Sequence, residues 1–128
     1  MIQQVTKGIK ISVTTYFQGL YYKNFKVHYA FGYKITIENR NTEAVQRKSR
    51  FWEIKDALND TETVIGEGVI GKQPILQAGE SHSYESGCLI LGAFGSMKGF
   101  YKMTDLTSGE KFQVTIPSFK FAVPYALN

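Results

Sequence analysis

Hydrophobic and polar positions alternate along most of this chain. Ile9, Ile11, Val13, Thr15 and Phe17 fall on one side of a two-residue period, against Lys10, Ser12, Thr14 and Tyr16. Tyr29, Phe31, Tyr33, Ile35 and Ile37 repeat the pattern against Ala30, Gly32, Lys34, Thr36 and Glu38. Successive side chains of a strand point to opposite faces, so both runs predict half-buried strands. Shorter runs follow. Residues 49–56 place Trp52 and Ile54 on one side, and residues 62–65 and 82–85 predict two further strands, the second with Tyr84 inward. Met97, Gly99, Tyr101 and Met103 mark a sixth strand, Phe112, Val114 and Ile116 a seventh, and Phe119, Phe121 and Val123 an eighth. Turn-forming residues separate them, at Glu38-Asn39-Arg40-Asn41, Leu58-Asn59-Asp60, Gln77-Ala78-Gly79-Glu80 and Thr107-Ser108-Gly109-Glu110. No window carries an apolar stripe at helical spacing over three turns. Seven or eight short, regularly spaced strands predict an all-β fold: a single antiparallel β-sandwich of immunoglobulin or fibronectin type III type. The alternation supports a sandwich without choosing Greek key over barrel.

Composition narrows this further. At 128 residues the chain fits one domain, 1–128. Nine Phe, eight Tyr and one Trp suit pleated, half-buried surfaces. The net charge of +4 permits an anionic partner without demanding one. Its densest cluster is Arg47, Lys48, Arg50 and Lys55. Cys88 is the only cysteine, which rules out an intrachain disulfide and agrees with a reducing, cytoplasmic setting. The N-terminus lacks the apolar region of a signal peptide, and no run is long enough to span a bilayer as a helix, so no membrane association is expected.

The segment Gly66-Glu67-Gly68-Val69-Ile70-Gly71 spells GxGxxG. In dinucleotide enzymes that spacing works because a helix leaves the loop and aims free N–H groups at a pyrophosphate. Here Pro74 and Gly79 interrupt any such helix. Without a helix, Gly66, Gly68 and Gly71 can still expose N–H groups as an anion-binding nest, with Lys72 adjoining and Arg50 reaching across from a neighbouring strand. The plainer reading, a glycine-rich turn between strands, is preferred. Metal chemistry finds little material. His28, His82 and Cys88 show no ligand spacing, and nothing gathers the carboxylates. Ser81, His82 and Ser83 on one strand diverge to opposite faces, and no nucleophile, base and orienting group can be assembled. No catalytic residue, metal or cofactor is therefore expected. Cys88, beside Leu89, Ile90 and Leu91, reads as a small hydrophobe.

Two stretches bear on partners. Tyr21-Tyr22-Lys23-Asn24-Phe25-Lys26 interleaves rings and lysines, as stacking platforms for nucleic acid do. It is read instead as a loop or edge strand whose rings reach the core, so nucleic acid is not an expected partner. The apolar run with Leu89, Ile90, Leu91 and Phe94, between Gly87 and Gly95, is a candidate interaction loop, and equally a buried strand.

The order and spacing of several segments are more specific than any one of them. Val45-Gln46, Ser49-Arg50, Trp52 to Ala57, Gly66 to Leu76, Ala78-Gly79-Glu80, Tyr84 to Leu89, Gly95 to Met103 and Ile116 to Phe119 together resemble the ApaG family, over Val5 to Phe121. Three departures stand out. Arg47-Lys48 occupies a more apolar pair of the family pattern, Ala78 stands where the family often has Pro, and residues 89–94 are more apolar than the family's Thr-Pro-containing loop. The resemblance implies a fibronectin type III-like sandwich and no catalytic residues. It implies a bacterial, non-enzymatic binding module associated with cobalt and magnesium resistance and efflux, whose partner is another protein. The alternative is nucleotide or pyrophosphate binding through residues 66–72. Oligomeric state is left open.

Overall fold

The structure is a computed structural model that describes residues 1–67 and 73–124. Nine strands run through the described residues: β1 (Ile2–Thr6), β2 (Ile9–Lys23), β3 (Lys26–Asn39), β4 (Val45–Asp56), β5 (Asn59–Glu67), β6 (Ile75–Leu76), β7 (Ser81–Ile90), β8 (Phe94–Asp105) and β9 (Lys111–Ala122). They pair antiparallel in two sheets. The first has the order β1-β2-β3-β7; the second has the order β5-β4-β8-β9, with β6 also beside β4. The order β2-β3-β7 facing β5-β4-β8-β9 matches strands A-B-E facing C′-C-F-G of an immunoglobulin-type Greek key. The choice between Greek key and barrel, open in the sequence, is thereby made.

The two long alternating runs are β2 and β3, with Ile11 opposite Ile37 and Val13 opposite Ile35. Three expectations change. First, β1 was not anticipated. It pairs with β2 through a two-residue turn, Lys7-Gly8, whose φ angles of 48° and 78° are both positive. That is the geometry that matches the twist of a hairpin. Its residues are largely exposed, so they carry no inward apolar rhythm to read. Second, the expected seventh and eighth strands are one strand, β9. Its pairing with β8 slips between Gly99↔Ile116 and Met97↔Phe119, leaving Pro117 and Ser118 in a bulge. Proline lacks the N–H that a regular ladder needs, and a bulge is where a strand tolerates it. The slip flips the alternation, so one strand reads as two. With β1 and the short, unanticipated β6 added and the last two merged, the described residues hold nine strands where seven or eight were expected. Third, the sequence runs at 82–85 and 97–103 are only the first half of β7 and the middle of β8.

The inward faces meet in one core. Ile9, Ile11, Val13, Ile35 and Ile37 lie in the same buried cluster as Met97, Tyr101, Met103, Val114 and Ile116. Trp52 is 3% exposed, as expected, with Tyr33 tilted against it at 5.8 Å and Phe119 edge-on at 5.8 Å. The buried Asn39 secures the β3–β4 turn. Its Nδ2 donates to the carbonyls of Glu43 (2.8 Å) and Leu76 (3.0 Å), and its Oδ1 accepts from Asn41 N (3.0 Å).

Candidate functional site

The β2–β3 hairpin outruns its sheet. β7, the other neighbour of β3, stops at Ile90 opposite Tyr29. Beyond that point the hairpin pairs only with itself, through Tyr21↔His28, Tyr22↔Val27 and Lys23↔Lys26. Leu20, Tyr21, Tyr22, Phe25 and Val27 are all exposed, Tyr22 by 71% and Phe25 by 91%. This corrects the expectation that these rings reach the core. A two-stranded ribbon projecting past its sheet has no opposing layer to bury them.

The hairpin turn is also strained. Asn24 and Phe25 have φ of 52° and 62°. A two-residue turn with both φ positive suits Asn-Gly, because glycine has no Cβ to clash there. A bulky residue in this conformation is an outlier, with a cost on the order of 1 kcal/mol. Here that residue bears the most exposed ring of the protein among the described residues.

Two turns stand beside the hairpin, β4–β5 within the second sheet and β7–β8 joining the first sheet to the second. Asp56, at the end of β4, accepts hydrogen bonds from Leu58 N (3.0 Å), Leu91 N (2.6 Å) and Gly92 N (2.8 Å). Ala57 N donates to Phe94 O at 3.1 Å. The β4–β5 turn and the β7–β8 turn are thus tied together through one carboxylate. An open cleft of about 320 Å³ lies between them and the hairpin, lined by Asn24, Lys26, His28, Asp56, Leu89 and Leu91. Leu58, Leu89 and Phe94 are exposed here. The candidate interaction loop is thereby divided. Leu89 and Phe94 face outward and Leu91 is half-buried, while Ile90 is 2% exposed and belongs to the core. Alternation in β7 puts Ile90 inward and Leu89 outward, a distinction that a continuous apolar run conceals.

Of the candidate anion-binding residues, Arg50 and Gly66 are brought together as register partners on β4 and β5. Gly68, Gly71 and Lys72 lie outside the described residues. Arg50 lines a cleft of about 190 Å³ between the sheets, with Tyr33, Trp52, Tyr84 and Ser86. The sequence reading missed Arg47 beside it. This side chain is 1% exposed, and its Cζ lies 5.1 Å from the Tyr84 ring and 5.3 Å from the Tyr101 ring. Nε and Nη1 have no hydrogen-bond partner among the described residues. Burial pushes the Arg47 pKa down from its usual value. Burial likewise raises Tyr84 to about 12 and Tyr101 well above the ordinary phenol value, and the two hydroxyls hydrogen-bond to each other. A signal for Arg47 existed: it replaces an apolar position in an otherwise alternating strand.

Cys88 is half-buried, and burial followed by the charges of Glu62 and Asp56 raises its thiol to about 11. That direction opposes nucleophilic reactivity. Among the described residues, no group of three or more His, Cys, Asp or Glu is placed to hold a metal ion. No helix among them is long and apolar enough to cross a membrane.

The ApaG domain profile matches residues 21–105, from the exposed hairpin to the end of β8. The chain belongs to the ApaG family. ApaG proteins of Brucella abortus (strain S19) and Brucella anthropi are 39% and 41% identical over 124 residues, covering 97% of this chain and 95% of theirs. Two solved structures agree with the sandwich. An X-ray structure of a Northeast Structural Genomics Consortium target has a TM-score of 0.85 at 33% identity, covering 91% of this chain and 88% of that one. A Bordetella pertussis protein named ApaA has a TM-score of 0.80 at 32% identity, covering 91% and 94%. The ApaG match spans the hairpin tip from residue 21, β7 and both turns, so all of the candidate surface except Leu20 lies inside it.

Proposed function

We propose that this ApaG protein is a non-enzymatic, cytoplasmic interaction module, and that it binds a partner protein through the projecting β2–β3 hairpin and the adjoining turns. The observation that carries the reading is Phe25. A nearly fully exposed ring is held on a backbone conformation that favours glycine. Strain kept where it brings the fold no packing points to use of the side chain. Tyr22, Leu20 and Val27 extend the apolar surface, and exposed apolar groups that cluster mark interaction sites more than scattered ones do. Lys23 and Lys26 flank the turn. The complementary partner offers an apolar recess edged by carboxylates. The cation association of the family is then indirect, acting through that partner.

The test is affinity capture from the native lysate with the wild-type protein and with Tyr22→Ser/Phe25→Gly. Both substitutions lie outside the core, so the melting curve should stay cooperative. Loss of the captured partner in the variant supports the reading; undiminished capture overturns it.

Nucleotide or pyrophosphate binding through residues 66–72 is favoured by one observation, the placing of Arg50 opposite Gly66. Under that reading ATP, GTP or pyrophosphate raises the melting temperature by several degrees at a hundredfold excess over Kd, and Lys72→Gln reduces the rise. No shift with any of them leaves the interaction reading alone.

A further inference from the structure

The outer face of the second sheet carries an unbalanced charge pattern around a pair of stacked rings. The register places Ser49, Phe51, Glu53 and Lys55 of β4 beside Lys102, Phe100, Lys98 and Ser96 of β8. It places Gln113, Thr115 and Lys120 of β9 beside Lys102, Phe100 and Ser96. Phe51 and Phe100 stack across the strands with centroids 5.1 Å apart and planes inclined by 15°. Both rings are half-buried on the side of the sheet away from the core.

Cations surround this pair. Lys48, Lys102 and Lys111 line an open trough of about 820 Å³, with Gln73 and Gln113 as further donors. Gln73 is fixed at the rim: its Nε2 donates to Lys48 O at 3.0 Å, and its own carbonyl accepts from Gln46 Nε2 at 3.0 Å. On the other side of the rings Lys98 borders a second cavity of about 270 Å³, walled by Phe51, Phe100 and Thr115 and floored at Gly99. Only glycine fits there, since a Cβ on Gly99 would fall 2.0 Å from Phe51 O. Along β8 the outward positions thus read lysine, ring, lysine, each about 7 Å from the next. Glu53 is the acidic residue in the middle of this face, held between Lys55 (3.8 Å) and Lys98 (3.9 Å). The register also sets Glu67 beside Ser49, at the β5 edge. On the outer face of the first sheet, by contrast, Lys34 lies opposite Glu85 and Lys10 opposite Glu38.

We propose that the outer face of the β5-β4-β8-β9 sheet binds single-stranded nucleic acid, with bases stacked against Phe51 and Phe100 and phosphates neutralised by Lys48, Lys98, Lys102 and Lys111. The physical argument is the combination. Lysines alone attract any polyanion, including an acidic protein. Flat rings set between rows of lysines serve a ligand whose own flat, apolar groups alternate with charges. A duplex hides its bases and presents only phosphates to such a face. The segment Tyr21 to Lys26, whose rings and lysines also interleave in sequence, is a different surface. This inference does not depend on the hairpin.

The probes are short fluorescent oligo-U and oligo-dT strands, a duplex of equal length, and inorganic polyphosphate, read by anisotropy or competition. The variants are Lys102→Gln/Lys111→Gln, Phe100→Leu and Phe51→Leu, with Lys34→Gln on the opposite sheet as the control, each first shown by its melt to be folded. The expected result is single-strand binding that weakens steeply between about 50 and 200 mM salt. The lysine variant should lower the slope of log K against log salt by about 0.7 for each phosphate that is no longer neutralised. Phe100→Leu should weaken oligonucleotide binding by about tenfold while leaving polyphosphate binding unchanged. Lys34→Gln should change neither. No single-strand binding at low salt overturns the proposal. Binding that both ring variants leave intact overturns it as well, since the face then serves polyanions or acidic proteins by charge alone.

Discussion

The guanidinium of Arg47 sits between two tyrosine rings with Nε and Nη1 unpartnered among the described residues. Removing such a charge from water costs several kcal/mol. Two cation–π contacts return about 2 kcal/mol each when desolvated. These terms nearly cancel, so replacing Arg47 with an apolar side chain of similar length should cost little. Arg47→Met is expected to be neutral or stabilising by about 1 kcal/mol in urea unfolding, whereas Arg47→Ala, which leaves a cavity, should destabilise. Trp52 is the opposite case, a buried ring packed among other rings. Trp52→Ala should cost about 3–5 kcal/mol, and an unchanged melting temperature would contradict its place between Tyr33 and Phe119. Cys88, with its thiol raised from 9.0 to about 11, should carry about a hundredfold less thiolate near neutral pH than an unperturbed cysteine. Alkylation by iodoacetamide should be slower than that of glutathione by about tenfold, because the scarcer thiolate is also the more nucleophilic.

At the scale of elements, the hairpin and the β4–β8 ladder pull in different directions. Phe25 at φ 62° is the strained member of its turn. Phe25→Gly should relax it and raise stability by about 1 kcal/mol, while weakening capture of the partner. A substitution that improves folding and impairs binding separates the two roles of one residue. Gly99 shows the reverse constraint. Its hydrogen stands where the backbone carbonyl of Phe51, on the neighbouring β4, leaves no room for a Cβ. Backbone cannot swing aside as a side chain can. Gly99→Ala should therefore destabilise by more than an ordinary surface Gly→Ala change, by about 2 kcal/mol or more, as a lowered urea midpoint.

For the whole molecule, the buried phenols set an alkaline limit. An ordinary tyrosine has a pKa of 10.0, while Tyr84 in the fold holds its proton to about 12 and Tyr101 holds its own well above 10.0. The unfolded chain therefore loses these protons first. The stability they contribute is complete below about pH 10 and is lost as pH rises from 10 through 12. Unfolding free energies measured across that interval should fall, and Tyr84→Phe should make the fall shallower.

The alternation of β2 and β3, the inward placing of Trp52, Tyr84 and Tyr101 and the two-layer architecture were legible in the sequence. Each follows from a local rule, the two-residue period of a strand, that needs no knowledge of what lies opposite. What lies opposite was decided by the tertiary structure alone. Whether Leu89 or Ile90 is buried depends on which face of β7 meets the core. The exposure of Tyr22 and Phe25 depends on where β7 stops, and the stacking of Phe51 on Phe100 depends on the β4–β8 register. The β9 bulge shows the boundary most directly, since one shifted pairing turned a continuous strand into two apparent ones. Sequence fixes which residues can share a face, because that is covalent geometry. Which face is covered and which left open to a partner is a matter of long-range pairing, carried by contacts between segments far apart in the chain.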